Sequence, residues 1–268
     1  MIANILSIAG SDPSGGAGIQ ADLKTFSALG TYGASVVTAL TAQNTRGVGA
    51  VELVSPAFIA RQIDMVFEDL RIDAVKIGML ATAEIIATVA DRLRHWQPRW
   101  IVLDPVMVAK SGHRLLDEAA VASLRRDLLP LASVITPNLP EAAALLDRPV
   151  AVDWPMMLET AEALRGLGCP AVLLKGGHLA GDSSPDLLLS AAGSERFDAR
   201  RIVTANTHGT GCTLSSAIAA LLPQREDISK AVAAAKVFIT GAIAASDALS
   251  VGHGHGPVHH FHQLWRQS

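Results

Sequence analysis

The residues best suited to chemistry lie in Asn206-Thr-His-Gly-Thr-Gly-Cys212. Two glycines one residue apart allow a tight turn and leave backbone N–H groups uncovered. The small and apolar run that follows, Thr213 to Leu222, has the composition of a buried helix. A helix N-terminus carries partial positive charge, so the turn reads as a pocket for an oxyanion or phosphate. A cysteine there is expected to be more acidic than a free thiol, and Cys212 is a potential base. The plainer alternative is a strand-to-helix turn with a buried cysteine. A short glycine-rich turn does not decide between them.

The elements that must hold this turn alternate in type along the chain. Strand patterns cover Ile2–Ala9, Gly33–Thr41, Ala74–Ile77, Trp100–Leu103, Ser133–Ile135, Ala171–Leu174, Leu187–Ser190 and Arg201–Thr204. Helical patterns run from Gly15–Gly18 to Ala28, from Ser55-Pro56 to Leu70, and over Thr82–Arg94, Asp117–Leu129 and Pro155–Leu167. Further ones cover 211–222, 226–250 and 258–266. Ser55 and Thr82 have the chemistry of N-caps, with Pro56 at a first helical position. This order predicts a three-layer α/β/α fold, a mostly parallel sheet with helices on both faces. No linker or repeat divides the chain, so one domain is expected. Ligands in such folds sit at the carboxyl ends of the strands. Those ends carry Gly10-Ser-Asp12, Gln43-Asn44, Gly78-Met79, Asp104-Pro-Val106, Asn138 with Glu141, and Lys175-Gly-Gly177.

Composition narrows the function classes. The 268 residues are 50% hydrophobic and 18% charged, as suits a sheet covered on both faces. The net charge of −3 gives no nucleic-acid footprint. Two cysteines, Cys169 and Cys212, make no disulfide framework and fit a reducing compartment. The apolar N-terminus lacks a leading basic residue and reads as a first strand rather than a signal peptide. The most apolar helical stretch contains Lys236, Ser246 and Asp247, against a membrane span.

Seven motifs together resemble one family. They are Ala9-Gly-Ser-Asp-Pro-Ser-Gly-Gly-Ala-Gly-Ile-Gln-Ala-Asp22, Thr38-Ala-Leu-Thr-Ala-Gln-Asn44, Lys76-Ile-Gly-Met79, Leu103-Asp-Pro-Val-Met107, Thr136-Pro-Asn-Leu-Pro-Glu141, Leu174-Lys-Gly-Gly-His178 and His208-Gly-Thr-Gly-Cys212. In this order they resemble the ribokinase-like superfamily of ATP-dependent kinases. Within it, the likeness is to the hydroxymethylpyrimidine and phosphomethylpyrimidine kinases of thiamine biosynthesis. The tail Gly252–Phe261 is similar too.

The resemblance implies phosphorylation of a pyrimidine hydroxymethyl group and then of the monophosphate. It also implies Mg-ATP and a cytosolic homodimer. It makes Gly209, Thr210, Gly211 and Cys212 an anion hole in which Cys212 takes the substrate proton. Most ribokinase-like kinases have aspartate where this branch has Cys212. Gly10, Asp22, Gln43, Met79 and Val106 would form the pyrimidine site, where a Gln amide matches an aminopyrimidine's donor and acceptor. For Asp22 a surface-helix role stands as an equal alternative. Lys175, Asn138, Glu141 and Asp104 would serve ATP and its phosphates, with Glu141 reaching Mg²⁺ through water. Asn138 and Glu141 could instead cap a helix starting near Leu139.

Some features admit other readings. Gly15–Gly18 lacks the spacing of a dinucleotide fingerprint, which argues against a dehydrogenase, and reads as a mobile flap. Lys236 either snorkels or points into the nucleotide site. The tail histidines 253, 255, 259, 260 and 262 lack a cysteine or carboxylate partner for a metal. A pyridoxal or pyridoxine kinase, or a non-catalytic vitamin-binding protein on this fold, remain the alternatives.

Overall fold

A computed structural model of the chain describes residues 1–107 and 118–265. The parallel sheet is built from β1 (Asn4–Ala9), β2 (Tyr32–Val37), β5 (Ala74–Ile77), β6 (Ile101–Leu103), β7 (Val134–Ile135) and β8 (Val172–Lys175). Two antiparallel strands extend it, β9 (Asp186–Ser190) and β10 (Gly193–Phe197). The order across the sheet is β10-β9-β8-β7-β6-β5-β1-β2. A separate hairpin pairs β3 (Ala39–Asn44) with β4 (Gly47–Leu53).

Helices cover both faces. Alternate strand residues point to opposite sides, so Leu6 and Ile8 join one core and Ile5 the other. The first core is closed by α2 (Pro56–Asp69), α3 (Ala83–Trp96), α4 (Glu118–Ser123), α5 (Leu139–Leu146) and α6 (Trp154–Arg165). The second is closed by α1 (Gly18–Ala28), α7 (Thr210–Leu221) and α8 (Ile228–Ala244). Helix starts follow local chemistry. Ser55 accepts from Phe58 N–H with Pro56 behind it, and Thr82 accepts from Ile85 N–H. Among the described residues, no helix is long and apolar enough to cross a membrane.

Five expected elements differ, the first being the helix expected over 226–250, which ends at Ala244 before a 3-10 turn at Ser246–Ala248. The run 33–41 is two strands: Thr38 bonds the Met79 carbonyl at 2.7 Å, and β3 leaves the sheet for β4. Arg201–Thr204 is not a strand, because β10 already occupies the edge beside β9. Arg201 instead donates to the carbonyls of Gly177, Leu179, Gly181 and Ser183 and organises that loop. Residues 258–265 are not helical: only 260–264 form turns, and His259 N–H bonds Ala242 O on α8; residue 266 lies outside the described residues. In the expected helix 117–129, residue 117 also lies outside them, and α4 passes into a π-helical turn at Leu124–Leu128.

Candidate active site

The carboxyl ends of β1, β5, β6, β7 and β8 face one cavity of about 900 Å³, with the N-terminus of α7 on its wall. Gly10, Gln43, Met79, Asp104, Val106, Asn138, Glu141, Lys175 and residues 209–212 all border it. The strand order sets Met79, after β5, toward the β1 side, and Thr41 Oγ1 donating to the Ser11 carbonyl brings the hairpin that carries Gln43 to the same side. The strand order sets Lys175, Asp186 and Lys236 toward the β9 side, where Ile202, Ile239 and Ile243 add an apolar wall.

Gly209 is the N-cap of α7 with φ +76°, a conformation that favours glycine. A side chain there would also collide with the Gly16 carbonyl. Gly211 and Cys212 precede the first intrahelical bond, from Thr213 N–H to Gly209 O at 2.8 Å, so their N–H groups lie at the positive end of the helix. Thr210 differs from expectation. Its N–H bonds the Thr207 carbonyl at 3.3 Å, and its hydroxyl bonds the same oxygen at 2.8 Å, so it shapes the turn.

Cys212 also corrects the expected acidity. Burial pushes its thiol up to about 11, against the pull of Lys76 and the Gly18 N–H. Asp22 and Asp104 push in the same direction as burial. Desolvation and two carboxylates outweigh the helix terminus that the sequence makes visible.

Asp104 and Lys175 form the charged centre. Lys175 Nζ lies 3.0 Å from Asp104 Oδ1 and 3.9 Å from Glu141 Oε2. Thr136 and Ser215 also donate to Asp104, at 3.1 and 3.2 Å. Burial pushes the Asp104 carboxyl up, but Lys175 and Lys76 outweigh it and hold the group below its usual range. Burial pulls the Lys175 ammonium down, and Asp104 and Glu141 more than restore it. Asn138 and Glu141 make a full capping box on α5, each side chain accepting from the other's N–H at 2.8 Å. The capping alternative is therefore present, on residues that also border the cavity. Burial pushes Glu141 up to about 7 in spite of Lys175.

Asp22 is neither a pocket-lining nor a surface residue. Its side chain is 0% exposed, behind Lys76, whose Nζ lies 2.9 Å from both carboxylate oxygens. Gly15–Gly18 is tied down rather than free as a flap. Asp12 accepts from Ser14 N–H and Ala17 N–H, Lys24 binds the Gly15 carbonyl, and Asp12 lies 2.8 Å from His208 Nε2. Burial pushes Asp12 up, but His208 and these donors hold it at about 2. Lys236 does not snorkel; it bonds Asp186 at 2.7 Å and the Ser184 carbonyl at 2.8 Å on the cavity wall. The tail glycines have a packing role. Side chains at Gly252, Gly254 and Gly256 would strike Thr45 or Asn206, so the tail passes close to the β3–β4 turn.

The sequence sets Asp12 and His208 near the ligand but assigns no role to them or to Lys76, all three of which border the cavity. One signal was available: Lys76 interrupts Ala74-Val-Lys-Ile77, a strand covered on both faces, where a lysine needs a partner.

Comparisons with known proteins identify one family. The family model for phosphomethylpyrimidine kinase matches residues 12–259. The chain is 60% identical over 262 residues to the hydroxymethylpyrimidine/phosphomethylpyrimidine kinase of Escherichia coli K12, covering 98% of each chain. The solved phosphomethylpyrimidine kinase of Clostridium difficile 630 superposes with a TM-score of 0.80 at 46% identity, over 90% of this chain and 99% of that one. The Staphylococcus aureus pyridoxal kinase, solved with AMP-PCP and pyridoxal, gives 0.90 at 31% identity, over 98% and 95%.

Proposed function

The chain belongs to the phosphomethylpyrimidine kinase family and is a kinase of thiamine biosynthesis, and we propose that this one cavity performs two successive phosphoryl transfers. In the first, the hydroxyl of 4-amino-5-hydroxymethyl-2-methylpyrimidine attacks the γ-phosphorus of ATP. In the second, a phosphate oxygen of the monophosphate attacks another ATP, giving the pyrophosphate. The observation that carries this reading is the placement of Cys212, at the N-terminus of α7, in the same cavity as Gln43 and Lys175.

The chain's own groups divide the work. Gln43 offers an amide to the aminopyrimidine, with its Oε1 accepting from Thr41 at 3.2 Å. Met79 and Val106 supply apolar walls, and Gly10 leaves room for the Met79 sulfur, 3.3 Å from where a side chain would begin. Gly209, Gly211 and Cys212 present N–H groups to the transferring phosphoryl group, and Lys175 opposes its charge. Cys212 receives the hydroxyl proton in the first transfer. Asp104 holds Lys175 in place. Asp22 acts from behind Lys76.

Asp104, Asn138 and Glu141 are the oxygen donors Mg²⁺ prefers. Their oxygens already serve Lys175 and the capping box, and among the described residues no three His, Cys, Asp or Glu are grouped to hold a metal. The set fits a hydrated ion held by phosphate oxygens and reached by Glu141 through water. When bound, Mg²⁺ neutralises phosphate charge.

The enzyme is proposed to act as a single catalytic domain, in the cytoplasm and as a homodimer. Exposed Tyr32, Leu40 and Leu53 along β2 and the hairpin support self-association. Sedimentation velocity reads the dimer directly. The function is tested by incubating the protein with Mg-ATP and either the hydroxymethylpyrimidine or pyridoxal, following products by ³¹P NMR. Monophosphate then pyrophosphate from the pyrimidine is the expected result. Faster turnover of pyridoxal would overturn the assignment.

A further inference from the structure

The buried pair between Asp22 and Lys76, of which only the lysine borders the cavity, costs desolvation of two charges. Apolar residues of the same volume would serve the core at least as well. The pair spans four elements. Lys76 comes from β5 and Asp22 from α1; Ser7 on β1 and Ser216 on α7 each donate to Asp22 at 2.6 Å. Ser216 lies one helical turn beyond Cys212, on the same face of α7. Lys76 itself borders the cavity. Gly78 leaves room for the lysine head, since a side chain there would begin 2.9 Å from Nζ.

We propose that Lys76 is a positioning residue for phosphoryl transfer, the fixed counter-ion of the Cys212 thiolate, and that Asp22 with Ser7 and Ser216 holds it beneath the sulfur. The proposal rests on the reading of Cys212 as base. The charged groups facing Cys212 are Lys76 from β5, Asp22 from α1, Asp104 after β6 and Lys175 from β8, with the Gly18 N–H at the start of α1. Lys175, 3.0 Å from Asp104, is assigned above to the phosphoryl charge; Lys76 is held by Asp22, which Ser216 ties to α7 one turn beyond Cys212, and is the other cation acting on the sulfur. Lys76 is the largest influence opposing burial of the thiolate. Burial pulls the Lys76 ammonium down, but Asp22 holds it above its usual value, so it keeps its proton throughout.

The proton balance follows. The resting thiol gives its proton to water. The thiolate then takes the proton of the substrate hydroxyl and becomes a thiol again. The hydroxyl oxygen bonds to the γ-phosphorus as the bond to the bridging oxygen breaks, and that electron pair leaves on ADP.

The test reads thiol ionisation without needing kinase activity. The rate of Cys212 alkylation by iodoacetamide is followed against pH in a Cys169→Ala background. Lys76→Met is expected to alkylate roughly tenfold more slowly at a given pH, its profile displaced to higher pH. Asp22→Asn/Lys76→Met leaves no unpaired charge and keeps the test alive if the single variant does not fold. It is expected to move the profile the same way, by no more than the single variant, because the effect of Lys76 exceeds that of Asp22. Lys76→Arg, which keeps the charge, is expected to restore the profile. A folded double variant with an unchanged profile would overturn the proposal and reduce the pair to a structural element. Retained turnover of the hydroxymethylpyrimidine, the first transfer, in Cys212→Ala would instead overturn the base reading, whatever the alkylation profiles show.

Discussion

The two transfers make different demands on Cys212, and that difference can be measured. The first nucleophile is an alcohol, which must lose a proton as it attacks. The second is a phosphate monoester, whose second pKa near ~6 leaves it ionised at neutral pH. It needs no base. Cys212→Ala is therefore expected to slow the first transfer by about 10²–10⁴-fold, the usual loss on removing a general base, and the second by less than about tenfold. A thiol held at about 11 is ionised at pH 8 in roughly one molecule in a thousand, a cost of about 4 kcal/mol. The first transfer by the intact enzyme should thus rise about tenfold per pH unit between pH 7 and 9, while the second stays nearly flat. Each step is isolated by supplying the alcohol or the monophosphate separately with Mg-ATP and measuring ADP release. Equal losses in both steps would refute the reasoning. They would make Cys212 part of the anion pocket rather than a base.

Other perturbations have signs fixed by the geometry. Gly209→Ala puts a side chain against the Gly16 carbonyl at a positive φ, so urea denaturation should show a loss of about 2 kcal/mol or more, with both transfers impaired. Lys175→Met removes the cation beside Asp104 and the α7 terminus, and kcat/KM should fall about 10²–10³-fold in both transfers. His260 is buried, with Thr213 Oγ1 3.1 Å from its Nε2, and burial pulls its pKa down to about 3 from an ordinary 6.5. The unfolded chain binds the proton more readily, so stability present above pH 6.5 is lost as pH falls toward 3. His260→Gln should flatten this acid dependence by up to a few kcal/mol, measured by urea melts at pH 7.5, 5.5 and 4.5.

Much of the frame was legible because its causes are local. Ser55-Pro56, Thr82 and Asn138 with Glu141 set helix starts through partners at most three residues away. Ala74–Ile77 was found in full, since a short apolar run has few other uses in such a fold. What escaped depends on distant partners. Lys76 meets Asp22 across 54 residues, and His208 meets Asp12 across 196. The false strand at Arg201–Thr204 is apolar enough to pair, but the edge it would need belongs to β10. The acidity of Cys212 was misjudged for a related reason. Its helix terminus shows in the sequence, whereas the desolvation and carboxylates that win arise only on folding.

In the proposed reaction the substrate hydroxyl would sit between the Cys212 sulfur and the γ-phosphorus. A crystal structure with the hydroxymethylpyrimidine, Mg²⁺ and a non-hydrolysable ATP analogue measures it directly. The expected result is a hydroxymethyl oxygen within about 3–3.5 Å of Cys212 Sγ and in line with the γ-phosphorus. A hydroxyl directed away from the sulfur, toward another side chain able to take its proton, would contradict it.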